Sequence, residues 1–276
     1  DAPSGIGNRL IPPAQRPFAN ANLGAALRAA GRSFLSFSED LPHPYWDEEG
    51  DPTPLTDHYR RKHNPAINWI DFGAPRTLRQ IPADRQRFLL PPQVNLGFAP
   101  TTDPQGRRYR GFARDADGAP LGFEQLPHVA LVVPSEQHDA HSASLADADA
   151  WLRLHIGPYA AWAPRHNSLL VITFDEDGGT DTSQGDAYRH GRHRIATLMH
   201  GAGIRPGLYS ERIDALNLLA TVLDNQGVLA EFRRDFAATC PEDAGSCARE
   251  LANLRPLRAV FGLGAALQEL PAVPAD

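Results

Sequence analysis

The stretch "SLLVITFDEDGGTD", Ser168–Asp181, passes from the apolar run Leu169–Phe174 straight into Asp175-Glu176-Asp177 and two glycines. A short apolar run bounded by turn residues reads as a buried strand. Ligands of open α/β sheets sit at the carboxyl ends of strands, where loops converge on a rigid support, and Asp175 and Glu176 fall there. Adjacent carboxylates repel, so holding them together calls for a cation or for hydrogen-bond donors. Hard carboxylate oxygens suit a divalent metal ion. The competing reading is a solvated acidic turn, and the stretch alone leaves both open.

Working outward, "HVALVV" (His128–Val133) is a second buried-strand pattern, and "PSEQHDAHSAS" follows it with His138, Asp139 and His141. On an extended segment Asp139 and His141, two residues apart, share a face, as a metal or phosphate site requires; a polar loop is the alternative. A third cluster is "HYRRKHNPAINW", His58–Trp69. His63 there can donate to phosphate oxygens, whereas Arg60-Arg61-Lys62 reads as a solvated face. Two polar clusters, each at the end of a buried strand, favour a site over coincidence.

The remaining chain fits an α/β pattern. "NANLGAALRAAG" (Asn20–Gly31) has helical apolar spacing, an asparagine able to cap and a terminal glycine, and "SFLSF" (Ser33–Phe37) reads as a strand. "SLADADAWLRLHIGPYAAWA" (Ser144–Ala163) reads as a helix capped by Ser144 and kinked or split at Pro158. "RIATLMHG" (Arg194–Gly201) is a strand and "SERIDALNLLATVLDN" (Ser210–Asn225) a capped amphipathic helix. Strands separated by helices predict a mostly parallel central sheet with helices on both faces. Residues 42–126 lack periodicity and are expected to line a site. With no internal repeat, 1–276 reads as a single domain.

A formal charge of −6, from 33 acidic and 27 basic residues, gives no basis for nucleic-acid binding. No apolar run approaches the roughly 20 residues that span a bilayer. The two cysteines, Cys240 and Cys247 in "TCPEDAGSC", suit a disulfide-closed loop in an exported protein, secreted or periplasmic.

Taken in order, "NLGAALRAAGRSFLSFSEDLP", "YRRKHNPAINW", "VALVVPSEQHDAH", "DADAWL", "HNSLLVITFDEDGG" and "RIATLMHGAGIRPGLYSERID" resemble the bacterial and fungal phosphoesterase family of secreted acid phosphatases and phospholipases C, within the alkaline-phosphatase-like superfamily. The resemblance implies an alkaline-phosphatase-like α/β fold. It also implies that Asp175 and Glu176 are metal ligands, that His63 and His141 flank the scissile phosphate with Asp139 accompanying His141, and that His193 is a weaker candidate.

The chain departs from the family's pattern in three places: "HDAH" stands for the usual "NDMH", Ala215 stands where relatives often carry histidine, and the Ser or Thr nucleophile is expected upstream, with Ser4 a poor substitute. The implied activity is metal-dependent hydrolysis of phosphate monoesters through a Ser or Thr phospho-enzyme. The alternatives are a phospholipase C-type phosphodiesterase or a non-catalytic remnant that binds phosphorylated ligands. The partner is accordingly a phosphorylated small molecule or a phospholipid headgroup.

Overall fold

A computed structural model describes residues 11–48, 58–73, 80–175, 195–240 and 243–261. The expectations that fall on Ser4, Glu176 and His193 lie outside these residues. The chain divides into two compact units, one spanning 1–148 and 212–256, the other 149–211 and 257–276.

In the first unit, α1 (Leu23–Ala29) starts where Asn22 takes an extended conformation and its side chain accepts the Ala25 N–H at 2.8 Å. The Asn22 amide also donates to the Phe88 carbonyl at 2.8 Å, tying the cap to the core. Gly31 at φ +70°, a conformation glycine takes without steric penalty, ends the helix and releases the chain into β1 (Phe34–Ser38). β1 is the middle strand of a parallel sheet, flanked by β2 (Asn95–Gly97) and β5 (Val129–Val133). The same unit holds a separate antiparallel pair of two-residue strands, β3 (Thr101–Thr102) and β4 (Arg108–Tyr109). β5 was expected to be buried and is only half-buried, whereas β2, the other outer strand, is buried throughout.

The core joins Leu27, Phe34, Ile67, Ile70, Phe88 and Leu90 to residues of two later helices, α4 (Ala215–Asn225) and α5 (Leu229–Thr239). Burying a side chain of this size contributes about 1.5–3 kcal/mol. α4 starts four residues later than a helix capped at Ser210 would. Asp214, not Ser210, is the cap: its carboxylate accepts the Leu216 and Asn217 N–H groups while Asn217 accepts the Asp214 N–H. That reciprocal arrangement satisfies donors on both sides of the helix start. Cys240 and Cys247 form the expected disulfide, joining the end of α5 to α6 (Ala244–Asn253).

Within residues 42–126 the described parts contain short 3-10 turns, at Arg61–His63, Pro65–Trp69, Ala83–Phe88, Pro92–Val94 and Phe123–Gln125, besides β2, β3 and β4. Arg61 is not on a solvated face. It is 2% exposed and donates to Asp47 at 2.9 Å and to Asn68 at 3.0 Å. Arg61 is held by residues 14 and 7 positions away, a spacing that leaves no helical or strand periodicity.

The helix α2 (Leu145–His155) begins in the first unit and carries on into the second, where α3 (Gly157–Trp162) follows. Ser144 caps α2 by accepting the Asp147 N–H at 3.2 Å. Pro158 has no N–H for the Leu154 carbonyl, so the expected helix separates into two, with proline in the first turn of α3. β6 (Leu169–Thr173) then pairs antiparallel with β7 (Thr197–Gly201), Leu169 opposite Gly201 and Thr173 opposite Thr197. β6 is half-buried, consistent with a two-stranded ladder in which each strand has a single neighbour. The fold is α/β, with small parallel and antiparallel sheets and several helices.

Candidate active site

The carboxyl ends of β1 and β5 lie side by side, and the chains leaving them are cross-linked. Glu39 N–H donates to the Val133 carbonyl at 2.9 Å, adding one bond beyond the ladder. Glu39 Oε2 in turn accepts the Ser135 N–H at 3.0 Å and the Ser135 hydroxyl at 3.1 Å, and Nδ1 of His138 lies 2.9 Å from it. One carboxylate oxygen therefore gathers three donors from the loop after β5.

The same loop is tied on its other side to the segment that carries His63. Glu136 N–H donates to the His58 carbonyl at 3.0 Å, and the Glu136 carboxylate pairs with Arg60 at 2.7 Å. Asp139 Oδ2 stands 3.7 Å from Nδ1 of His63. That separation is an electrostatic pairing, too long for a hydrogen bond. Asp139 Oδ2 is buried without a hydrogen-bond partner. The other oxygen, Oδ1, accepts the His141 N–H at 2.8 Å.

His63 ends the 3-10 turn Arg61–His63 and is followed by the fully buried Asn64. Asn64 donates to Asn95, the first residue of β2, at 2.7 Å and to the Tyr59 hydroxyl at 3.3 Å. His63 is thus fixed between a turn anchored by Arg61 and an amide anchored in the sheet.

Residues 139–141 are not extended as the sequence suggested. Ala140 has φ +64°, so the chain turns, and Asp139 closes the turn through the His141 N–H. Asp139 and His141 are linked through backbone rather than by a shared strand face, and the His141 side chain is exposed.

Two acids here were not singled out by sequence reading. Glu39 and Asp40 directly follow β1, and the strand-end rule applied to "SFSEDLP" points to them just as it does to Asp175. Asp40 has φ +58°. Although Asp40 is exposed, partial desolvation by the surrounding chain raises its carboxyl pKa, and the adjoining Glu39 adds to this against the opposing pull of Ser135, His58 and His138.

Asp175 lies two residues past β6 in the second unit and is exposed. Its oxygens suit a hard divalent cation. No group of three or more His, Cys, Asp and Glu side chains among the described residues is placed to hold a metal. One hard ligand falls short of the six to eight oxygens such a cation takes, so the described residues alone do not make up a metal site.

What the first unit does offer is two imidazoles, each beside a carboxylate, at the carboxyl end of a parallel sheet. A histidine so placed can orient its far nitrogen toward a substrate as donor or as proton acceptor. That arrangement fits hydrolytic chemistry on an oxyanion, and residues 108–229 match the Phosphoesterase family. The matched segment includes Asp139, His141 and Asp175; His63 precedes it. Over 201 residues the chain is 34% identical to the phosphatidylinositol-3-phosphatase of Mycobacterium tuberculosis, covering 73% of this chain and 51% of that protein. The chain therefore spans about half the length of this relative. No solved structure matches it. Both similarities are to phosphoesterase or phosphatase proteins.

Proposed function

We propose that the protein hydrolyses phosphate monoesters, as acid phosphatases do. The single observation that carries this is the pairing of His63 with Asp139 at the strand ends of a domain related to a phosphatase. In this reading Asp139 orients His63 so that its Nε2 faces the phosphate, and His141 stands on the same loop to stabilise negative charge on the transferring group.

The chemistry is a two-step displacement. A Ser or Thr hydroxyl oxygen bonds to phosphorus as the bond to the leaving oxygen breaks, and the leaving group takes up a proton. Water then attacks the phospho-enzyme, releasing inorganic phosphate and restoring the hydroxyl. No described residue is assigned as that nucleophile. Asp175 and Glu176 are proposed to ligate a divalent cation, which when bound would polarise the phosphate. The finer fold assignment, a larger mostly parallel sheet of the alkaline-phosphatase-like kind, is part of the same proposal. The disulfide between Cys240 and Cys247 supports secretion or a periplasmic location.

The relative's name concerns a phosphoinositide monoester, which favours monoester over diester cleavage and makes a phosphorylated lipid headgroup a plausible substrate alongside small phosphomonoesters. The test is p-nitrophenyl phosphate hydrolysis by the full-length protein, compared with phosphatidylcholine cleavage. Monoester turnover that falls with chelator and with Asp175→Ala is expected. Faster diester cleavage would reverse the assignment, and activity indifferent to both chelator and Asp175→Ala would remove the metal from it.

A further inference from the structure

We propose that one face of the β1–β2 ladder binds internal water, and that this polar seam positions Asn64 and, through it, His63. The water site stands on its own geometry, and only its effect on catalysis rests on the phosphomonoesterase reading.

Side chains two apart on a strand share a face, so Ser36 and Ser38 point the same way from β1. Their register partners on β2 are Asn95 and Gly97, which belong to that face as well. Asn64 reaches it from the turn that carries His63, donating to Asn95 Oδ1 at 2.7 Å. Thr101 packs against the Gly97 end. A Cβ on Gly97 would stand 2.6 Å from Cγ2 of Thr101, so the glycine is what admits the threonine. On the other flank of β1 the register partners are Leu131 and Val133, whose side chains have no polar atom to offer.

Five polar atoms along this seam are buried without a hydrogen-bond partner: Ser36 Oγ, Ser38 Oγ, Asn64 Oδ1, Asn95 Nδ2 and Thr101 Oγ1. Ser36, Asn64 and Asn95 are 0% exposed and Ser38 is 1% exposed, so bulk solvent does not serve them. Leaving one buried polar group bare is costly, and five together call for a common partner.

The mixture of donors and acceptors selects that partner. Asn64 and Asn95 share one N–H···O bond, so the pair presents one amide N–H and one amide oxygen to the seam even if both amides are turned round. The N–H repels a cation and the amide oxygen repels an anion. Water both donates and accepts, and the three hydroxyls adapt to either role. Neighbouring strands run about 4.8 Å apart, a gap that one water spans with two bonds of about 2.8 Å. A buried water makes about three hydrogen bonds to otherwise unsatisfied groups, so these atoms suit about one or two waters. Water on Asn64 Oδ1 fixes the last atom of that amide, and the residue behind His63 is then held at both ends.

The wild-type full-length protein is crystallised, and density is expected for water within hydrogen-bonding distance of Asn64 Oδ1 and Asn95 Nδ2. Ser36→Ala and Ser38→Ala are unfolded in urea. A hydroxyl that holds water stabilises the fold, so both midpoints should fall, whereas removing a bare buried hydroxyl would raise them. Asn95→Ala removes the tether and a water contact together. It should lower kcat for p-nitrophenyl phosphate about 10- to 100-fold with little change in KM, as loss of an outer partner that orients a histidine does. In the His63→Ala background it should add little, because it acts through that ring. Where Asn95→Ala does not fold, Asn95→Ser, which keeps a hydroxyl on the seam but is too short to reach Asn64, takes its place in the same cycle.

Density with no water at the seam, or with an ion in its place, would overturn the site, as would a midpoint that rises in either serine variant. Losses from the Asn95 and His63 substitutions that simply add would overturn the positioning role. A folded wild-type protein that turns over no phosphate monoester would overturn the phosphomonoesterase reading and the positioning role with it, while the density and the serine variants still decide the water site.

Discussion

Asp139 directs its buried Oδ2 at Nδ1 of His63, 3.7 Å away, and among the described residues no other group donates a hydrogen bond to that oxygen. A buried carboxylate oxygen without a donor is costly, and His63 is the group placed to relieve it. The pair is read as poised, needing only a small movement of either side chain to close.

His63→Ala should therefore lower kcat/KM for p-nitrophenyl phosphate by about 10²- to 10⁴-fold, the range of a positioned acid or base. Asp139→Asn should cost about 10- to 100-fold, as outer partners that orient a histidine do. Circular dichroism and unfolding temperature should stay near wild type for His63→Ala. Equal activity of both variants and wild type in steady-state assays would remove the pair from the site.

Asp40 offers a pH-dependent test. Partial desolvation raises the carboxyl pKa of this exposed residue in the folded state, so folding favours the protonated form. The stabilising contribution of that form is complete below the ordinary value of 3.8 and is lost as pH rises through the raised value. At neutral pH the ionised carboxylate is then a liability. Asparagine tolerates the left-handed conformation at this position well. Asp40→Asn should make the protein more resistant to urea at pH 7 and leave it little changed at pH 3.

Much of the fold could be read from residues whose physics is local. Asn22 and Gly31 bound a helix because a cap and a positive-φ exit act within a few residues, and Pro158 splits a helix because it withholds one N–H. The disulfide followed from two cysteines in a short loop. The site was legible only in part. "HDAH" and "HNP" were visible, but their meeting depends on Glu39, Ser135 and Glu136, whose roles arise from bonds between the ends of strands far apart in sequence. The turn at Ala140 was missed because alanine gives no local signal for φ +64°. Arg61 was misread because composition shows a run of three cations, while burial depends on Asp47 and Asn68.

That misreading leads to a stability prediction. Arg61 and Arg16 both donate to Oδ1 of Asp47, at 2.9 and 2.5 Å. With the Arg61 side chain only 3% exposed, removing the shared carboxylate strands a buried guanidinium. Breaking such a pair on one side costs about 3–5 kcal/mol. Asp47→Ala should lower the urea midpoint accordingly, and Arg61→Met, which removes the buried charge itself, should cost less. A reversed order would show that the charge is better solvated than its burial implies.

The loop joining β3 to β4 provides the opposite pH signature. Asp103 has a fully buried side chain, and its carboxylate accepts the Gln105 and Arg107 N–H groups, the Arg107 guanidinium and the Tyr109 hydroxyl. Burial alone would push the carboxyl up, but these donors outweigh it and hold it down to about 2. For Tyr109, burial and then the bond to Asp103 push the phenol up to about 12. Folding thus favours ionised Asp103. Its contribution is present above the ordinary 3.8 and disappears as pH falls through about 2. Asp103→Asn should lower stability at pH 7 and flatten the decline between pH 4 and pH 2 relative to wild type, measured by urea unfolding at each pH. Tyr109→Phe removes one of the four donors and should leave most of the slope in place. If Asp103→Asn and wild type lost stability in parallel across that window, the carboxylate would not be what anchors this hairpin.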